Sequence, residues 1–245
     1  FAEGAVNIEQ QLEKGKHFFA RKYPDMRYLA YFQAYTNTHT DDKDRLISLY
    51  QRALAVKDVE GLIIGTRPDC VDRDLLTRIA SLRSDGKLIM MEYGAETSHD
   101  ITLEAVNRCH SWQDTVNAVT MTSQCGMPVG IHLIMGLPGE TEEMMLETIN
   151  RVNLLPVDVV KIHQLQIIRG TRLAQQYENG QVEITMFTPE SYARLCCKIV
   201  KALRKDIAIE RFVSSSPADL LIAPRWGLKN YEFTAIVNRM LKDID

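Results

Sequence analysis

A chain of 245 residues with 45% hydrophobic and 25% charged side chains has the make-up of one globular α/β domain with a large core, which excludes disordered and collagen-like classes. A formal net charge of −3 argues against a protein that holds nucleic acid through bulk electrostatics. No apolar run approaches the roughly 18 residues of a membrane span, so no membrane partner is expected and the cytoplasm is the expected compartment.

Asn7 followed by Gln10 resembles a capping box, and Ile8, Leu12, Phe18 and Phe19 fall at helical spacing, so a helix is predicted from there to about Tyr23, before Pro24. A β-rich run follows from Arg27 to Gln33, then a polar turn and a helix from about Asp41 to Val56. The same alternation recurs as Glu60–Gly65 with Arg73–Ser84, Lys87–Glu92 with one or two helices through Ser123, Val129–Met135 with Thr141–Leu154, and Asp158–Gln164 with Pro189–Lys205. Five strand–helix units in a row imply a parallel sheet with helical crossovers, and the continuous apolar runs suit strands buried on both faces. A strand-like run, Ile207–Val213, and an amphipathic helix, Tyr231–Lys242, complete the chain.

In parallel βα folds the chemistry gathers at the carboxyl ends of the strands. There the sequence places Gln33, Thr66 with Arg67, Glu92, His132, and Lys161 with His163. Period-two alternation puts His132 on one face with Ile134 and Gly136, and Lys161 on one face with His163. Two histidines, a lysine, an arginine and the acids Glu92 and Glu96 suit a zwitterionic, hydroxyl-rich small molecule. Glu96 also reads as a loop carboxylate capping a helix that starts near Asp100. His39, His99 and His110 read as solvated turn residues. No GxSxG, GxGxxG or GxxxxGK[ST] pattern is present, so an esterase triad, a nicotinamide cofactor and nucleoside triphosphate have no sequence support. The five cysteines, Cys70, Cys109, Cys125, Cys196 and Cys197, are scattered without a CxxC pair, so they read as reduced thiols and none is assigned to a metal.

The segment Gly136-Leu137-Pro138-Gly139-Glu140-Thr141 is by itself a tight strand-to-helix turn. Around it stand YFQAYTNT (Tyr31 to Thr38), GTRPDC (Gly65 to Cys70), MEYGAET (Met91 to Thr97), NRCH (Asn107 to His110), KIHQLQIIRGT (Lys161 to Thr171) and APRW (Ala223 to Trp226). This ordered series resembles the radical SAM superfamily, and within it the YhcC-like group of Fe–S oxidoreductases related to elongator-type and coproporphyrinogen-oxidase-type enzymes. The resemblance implies a partial, TIM-like (β/α)6 barrel over residues 1–245, with 206–245 as a C-terminal extension. It also implies that a first strand and a loop with three cluster-ligating cysteines belong upstream of Phe1, so that the present stretch alone is expected to be inactive.

By the same resemblance, S-adenosylmethionine and a 4Fe–4S cluster are the cofactors, and a reductant such as flavodoxin or ferredoxin is the partner. Reductive cleavage gives a 5′-deoxyadenosyl radical that abstracts hydrogen from an unidentified substrate. Gln33 and Thr36 fall where such enzymes contact the methionine moiety, and Thr66 and Arg67 at the next strand end. Arg108 matches an arginine that holds the carboxylate of S-adenosylmethionine. Glu92 and Glu96 match contacts to the amino group or ribose hydroxyls, and His132 a contact to the ribose. Ile134 and the backbone near Gly136 would flank adenine, while Lys161 and His163 would meet adenosine or substrate. No catalytic residue is assigned. Glu96 stands where relatives often have glutamine, Cys109 where glycine is common, and Gln164 and Gln166 where proline and histidine are expected. The alternatives are a cluster-free barrel that binds S-adenosylmethionine or a nucleoside, an RNA-modifying radical SAM enzyme, and a hydrolase using Glu92 with His132 or His163.

Overall fold

The computed structural model describes residues 7–20, 22–23, 25–33 and 36–243. Helices and strands alternate as α1 (Ile8–Ala20), β1 (Tyr28–Phe32), α2 (Lys43–Leu54), β2 (Val59–Thr66), α3 (Arg73–Ala80), β3 (Leu88–Glu96), α4 (Asp100–Ala105), α5 (Trp112–Gln124) and β4 (Val129–Met135). The chain continues through α6 (Glu142–Val152), β5 (Val159–Gln164), β6 (Ile167–Ile168), α7 (Arg172–Glu178), α8 (Pro189–Ala202), β7 (Ala208–Arg211), β8 (Leu221–Ala223) and α9 (Asn230–Lys242). The six-stranded sheet has the order β1-β2-β3-β4-β5-β7, with β1 on β2, β2 on β3, β4 on β5 and β5 on β7 all parallel. The alternation read from the sequence therefore gives the expected parallel sheet. Among the described residues no helix is long and apolar enough to cross a membrane.

Helix starts follow the chain's own capping residues. Asp42 accepts from Arg45 N at 2.8 Å, Asp72 from Leu75 N at 2.8 Å, Thr171 from Ala174 N at 3.1 Å and Thr188 from Ser191 N at 3.2 Å. Each satisfies a backbone donor that the first helical turn leaves without a partner. The segments after β1, β2 and β6 thus lead into capped helices.

The chain divides into two compact units, one of residues up to Tyr93 with Asn117–Val129, the other of Gly94–Val116 with Gly130 onward. In the first, Leu62 and Ile64 of β2 pack with Tyr50 of α2 and Leu75, Leu76 and Ile79 of α3, all at most 2% exposed. Tyr93 closes this core, its hydroxyl 2.6 Å from Thr122 Oγ1. In the second, Ile131, Leu133, Val160 and Ile162 are fully buried with Ile149 and Val152 of α6 and Tyr192 and Ile199 of α8. Trp226 of the APRW segment stacks on Phe233 at 5.9 Å between ring centroids and touches Tyr192 at 5.4 Å. Its indole N–H donates to Phe187 O at 3.0 Å.

Three features were not legible in the sequence. The short β6 and β8 pair antiparallel, and α7 spans a single stretch between them and the long loop. Two- and three-residue strands carry no readable period. Strand β3 continues to Glu96, four residues beyond the expected Glu92, because the glycine and alanine of YGAE mask a strand that is otherwise buried.

At the centre of the first unit Gly61 faces Leu88 across the β2–β3 pairing, and a Cβ there would lie 2.1 Å from Leu88 O. Overpacking of this kind costs about 1–3 kcal/mol. The substitution Gly61→Ala is expected to lower the thermal midpoint by several degrees. Gly15→Ala on α1, where nothing lies within 4 Å, should leave the midpoint unchanged or raise it slightly. Equal midpoints for the two variants would contradict the packing.

Candidate functional site

In the first unit, Asn37 ties the ends of β1 and β2 together by donating to Phe32 O at 2.9 Å and Gly65 O at 2.8 Å. Thr66 is buried, its hydroxyl 2.6 Å from Thr38 Oγ1, which itself donates to Cys70 O at 2.7 Å. Tyr31 reaches across β2 and donates to Glu92 Oε2 at 2.6 Å. Gly65, the register partner of Glu92, leaves the space for that crossing: a Cβ on it would lie 3.7 Å from the Tyr31 ring and 3.2 Å from Phe32 O. Arg67 pairs with Asp69 two residues on. Gln33 is exposed and Thr36 half-buried.

The second unit builds a charged cluster around the end of β3. Glu96 Oε1 and Arg108 Nη2 are 3.0 Å apart, and the same nitrogen donates to Gly94 O at 3.1 Å. Gly94 makes room for both groups, since a Cβ on it would stand 2.8 Å from Glu96 Oε1 and 2.9 Å from Arg108 Nη2. Of the two readings of Glu96, the loop carboxylate capping the helix near Asp100 does not hold: Glu96 ends β3, is 9% exposed and has a left-handed backbone with φ of 63°, and His99 stands at the start of α4. A non-glycine residue in that region costs of order 1–3 kcal/mol and persists where its surroundings over-determine it.

Asn107, also left-handed at φ 58°, turns the chain at the end of α4. Arg108 N donates back to Leu103 O at 2.8 Å, the six-to-one bond of a Schellman turn. Asparagine is the side chain besides glycine that tolerates this conformation, so the Asn-Arg order of NRCH aims Arg108 back at β3. Behind Arg108, His110 accepts from its Nε at 3.3 Å. His110 is buried, not solvated as expected from its turn position, and His99 bonds Met144 O at 2.9 Å. The MEYGAET and GLPGET segments meet where Thr97 donates to Glu140 Oε1 at 2.5 Å, so Glu140 anchors a loop.

The burial of β4 alternates along His132, Leu133, Ile134 and Met135, whereas on β5 Lys161 is buried and His163 half-buried. His132 and Ile134 are the half-buried residues of β4, and His163 that of the β5 end. Burial, then the positive charge of Arg211 and that of His132, lower the His163 pKa from the ordinary 6.5 to about 4, so the imidazole is neutral at pH 7. Burial raises the pKa of Glu96 against the opposing pull of Arg108 and His132. Lys161 is 3% exposed and its ammonium lies 3.1 Å from Glu210 Oε1, which sets it apart from His163. Gly136 holds φ of 84°, and a Cβ there would meet the Phe187 ring at 2.9 Å.

Within the second unit, the structure therefore brings together Glu96 and Arg108, with His132 acting on both Glu96 and His163 electrostatically. Within the first it links Thr66 to Thr38 and Glu92 to Tyr31, while Arg67 turns to Asp69. Sequence reasoning missed Tyr31, Asn37 and Arg211. The Arg211 Nε is buried without a hydrogen-bond partner. Tyr31 and Asn37 lie inside the YFQAYTNT segment, which was the available signal. Arg211 sits on a four-residue strand and gave none.

Sheet order and parallel pairing define a parallel βα fold with polar residues at its strand ends. The radical SAM superfamily model matches residues 7–152 and the Radical_SAM C-terminal domain model matches residues 157–243. The chain belongs to the radical SAM superfamily. It is 33% identical to YtqA of Bacillus subtilis over 93% of this chain and 70% of that one. It is 35% identical to YhcC of Escherichia coli K12 over 89% and 69%. Among solved structures, Elp3 of the archaeon Methanocaldococcus infernus superposes with a TM-score of 0.78 at 18% identity, covering 96% of this chain and 58% of that one. At that identity the likeness shows the fold alone, the partial TIM-like barrel expected from the motifs.

Membership implies S-adenosylmethionine and a 4Fe–4S cluster. The second unit fits the former: Arg108 offers a fork of donors for a carboxylate, Glu96 an acceptor for an ammonium or hydroxyl group, and Gly94 the space in which both meet. The cluster is a different matter. Among the described residues no group of three His, Cys, Asp or Glu side chains is placed to hold a metal ion. Cys196 and Cys197 are buried on α8, Cys109 is exposed, and Cys70 and Cys125 are half-buried.

The depressed His163 pKa has a stability consequence. Between about 4 and 6.5 the unfolded chain binds the extra proton, so stability is full near pH 7 and falls as the pH drops through that window. The substitution His163→Gln is expected to flatten the pH dependence of the denaturation midpoint between pH 4 and 6.5 relative to the parent protein. Identical slopes would show that the imidazole is not held neutral.

Proposed function

We propose that this protein is a radical SAM enzyme in which the Glu96–Arg108 cluster holds the amino-acid end of S-adenosylmethionine. The observation that carries it is the pairing of buried Glu96 with half-buried Arg108 in the gap at Gly94, with Glu96 held in a strained backbone and a pKa raised by burial. Perturbed buried carboxylates with a specific charge partner collect at functional sites. In this assignment Arg108 turns its guanidinium to the carboxylate of the cofactor, and Glu96 accepts from its amino group or a ribose hydroxyl. His132 reaches the ribose and Ile134 flanks adenine. His163, neutral at pH 7, meets adenosine or substrate as a hydrogen-bonding group without charge. Lys161 is held by Glu210 and serves the wall of the unit. In the first unit Tyr31 holds Glu92 in place.

A 4Fe–4S cluster, the group that family membership implies, would when bound supply the electron for reductive cleavage of the sulfonium. A low-potential reductant of the flavodoxin or ferredoxin class supplies that electron in turn. Anaerobic reconstitution of the full-length protein is expected to give the brown absorbance of a 4Fe–4S cluster and reductant-dependent 5′-deoxyadenosine. A folded, iron-loaded protein that yields no 5′-deoxyadenosine from S-adenosylmethionine would overturn the assignment and favour a binding module.

A further inference from the structure

The second unit holds another pocket, of about 370 Å³, between the end of β5, the serine run 214–216 and the loop 224–229. Its floor is Gln164, 4% exposed, whose Nε2 donates to Ser214 O at 3.3 Å and whose Oε1 is buried with no hydrogen-bond partner. The orientation of this amide is fixed, because turning it over would set its oxygen against a carbonyl oxygen. A buried acceptor left without a donor is costly, and a ligand donor removes the cost. Gln166 beside it is fully used: its Nε2 donates to Ser214 O at 3.0 Å and its Oε1 accepts from Ser216 at 2.7 Å. Gln166 therefore shapes the serine run and leaves Gln164 as the group that awaits a partner.

The charge of the lining is one-sided. Arg225 and Lys229 border the pocket and no aspartate or glutamate does. Arg225 is steadied by its Nε bond to Leu221 O at 3.1 Å, and Lys229 stands at the start of the 13-residue α9, whose N-terminal dipole adds to the positive field. Trp226, fixed by its bond to Phe187 O and its stack on Phe233, supplies a rigid apolar wall together with Leu228. A volume at the lower end of the roughly 300–1,000 Å³ of small-molecule sites suits a small molecule more than a polymer.

We propose that this pocket is the substrate-recognition site and takes a ring-containing organic anion. Its apolar body lies against Trp226, its carboxylate or phosphate meets Arg225 and Lys229, and an N–H or O–H group donates to Gln164. The assignment of the bound molecule as substrate rests on the radical SAM reading, since Gln164 directly follows His163. Binding itself is independent of that reading.

The test uses the full-length protein and two fluorescent probes of one ring system. 1-Anilinonaphthalene-8-sulfonate carries the anion and an N–H, and N-phenyl-1-naphthylamine lacks only the anion. The double substitution R225A/K229A is expected to weaken the sulfonate about ten-fold or more while changing the neutral probe less than about two-fold. Both side chains are exposed, and the thermal midpoint of the variant checks that it is folded. Gln164→Met should weaken both probes by several-fold through the shared N–H. Indole-3-acetate or phenyl phosphate should displace the sulfonate, and whichever does so at lower concentration identifies the anionic group. Equal loss of both probes in R225A/K229A, no loss of either, or displacement by neither anion would overturn the proposal. Failure of 5′-deoxyadenosine formation with these binding results intact would overturn the role as substrate site and leave the anion pocket standing.

Discussion

The pairing of Glu96 with Arg108 over Gly94 is the constraint around which the second unit's candidate site is arranged. A side chain at 94 would shift the ends of the two charged groups, and Glu96 holds its position with a left-handed backbone. Asn107 ends α4 in the same conformation and so delivers Arg108. Three residues scattered over two sequence segments thus serve one contact. The balance of effects is informative: burial raises the Glu96 pKa even though Arg108 and His132 pull it down, so desolvation wins. Folding works against the charged form of this carboxylate, and the pair does not earn its place through stability.

The first unit repeats the device in another form. Gly65 leaves space for Tyr31 to cross β2 and bond Glu92, as Gly94 leaves space for Arg108. In both units a glycine inside a strand marks the close approach of another group, and in both the approaching group fixes a buried carboxylate. Capping residues complete the arrangement, since Asp42, Asp72 and Thr171 start the helices that follow β1, β2 and β6.

Much of this was legible in the sequence, for identifiable reasons. The first five strands of the parallel sheet are largely apolar runs of five to nine residues, long enough to show, and period-two alternation put His132 with Ile134 on one face. Arg108 was found through its segment, whose asparagine carries a conformational signal. Glu96 was read as a loop residue because Gly94 and Ala95 interrupt the apolar run that would have announced the strand. His110 was read as solvated because its burial comes from Arg108, a partner that only the folded chain supplies. The strand-like run Ile207–Val213 contained β7 but gave no role to Arg211, and the antiparallel β6–β8 pair escaped because strands of two and three residues carry no period. Gln164 and Gln166 stood out as unusual residues, but their unequal roles, one satisfied and one not, depend on where the serine run folds back.

The proposed role of Arg108 is open to a direct measurement. Calorimetric titration of the full-length protein with S-adenosylmethionine and with its decarboxylated analogue, in the parent and in Arg108→Lys, isolates the carboxylate contact. Lysine keeps the charge beside Glu96 but lacks the planar fork. The account predicts that the substitution weakens S-adenosylmethionine about ten-fold or more while leaving the decarboxylated analogue nearly unchanged. Equal weakening of both ligands, or of neither, would contradict it.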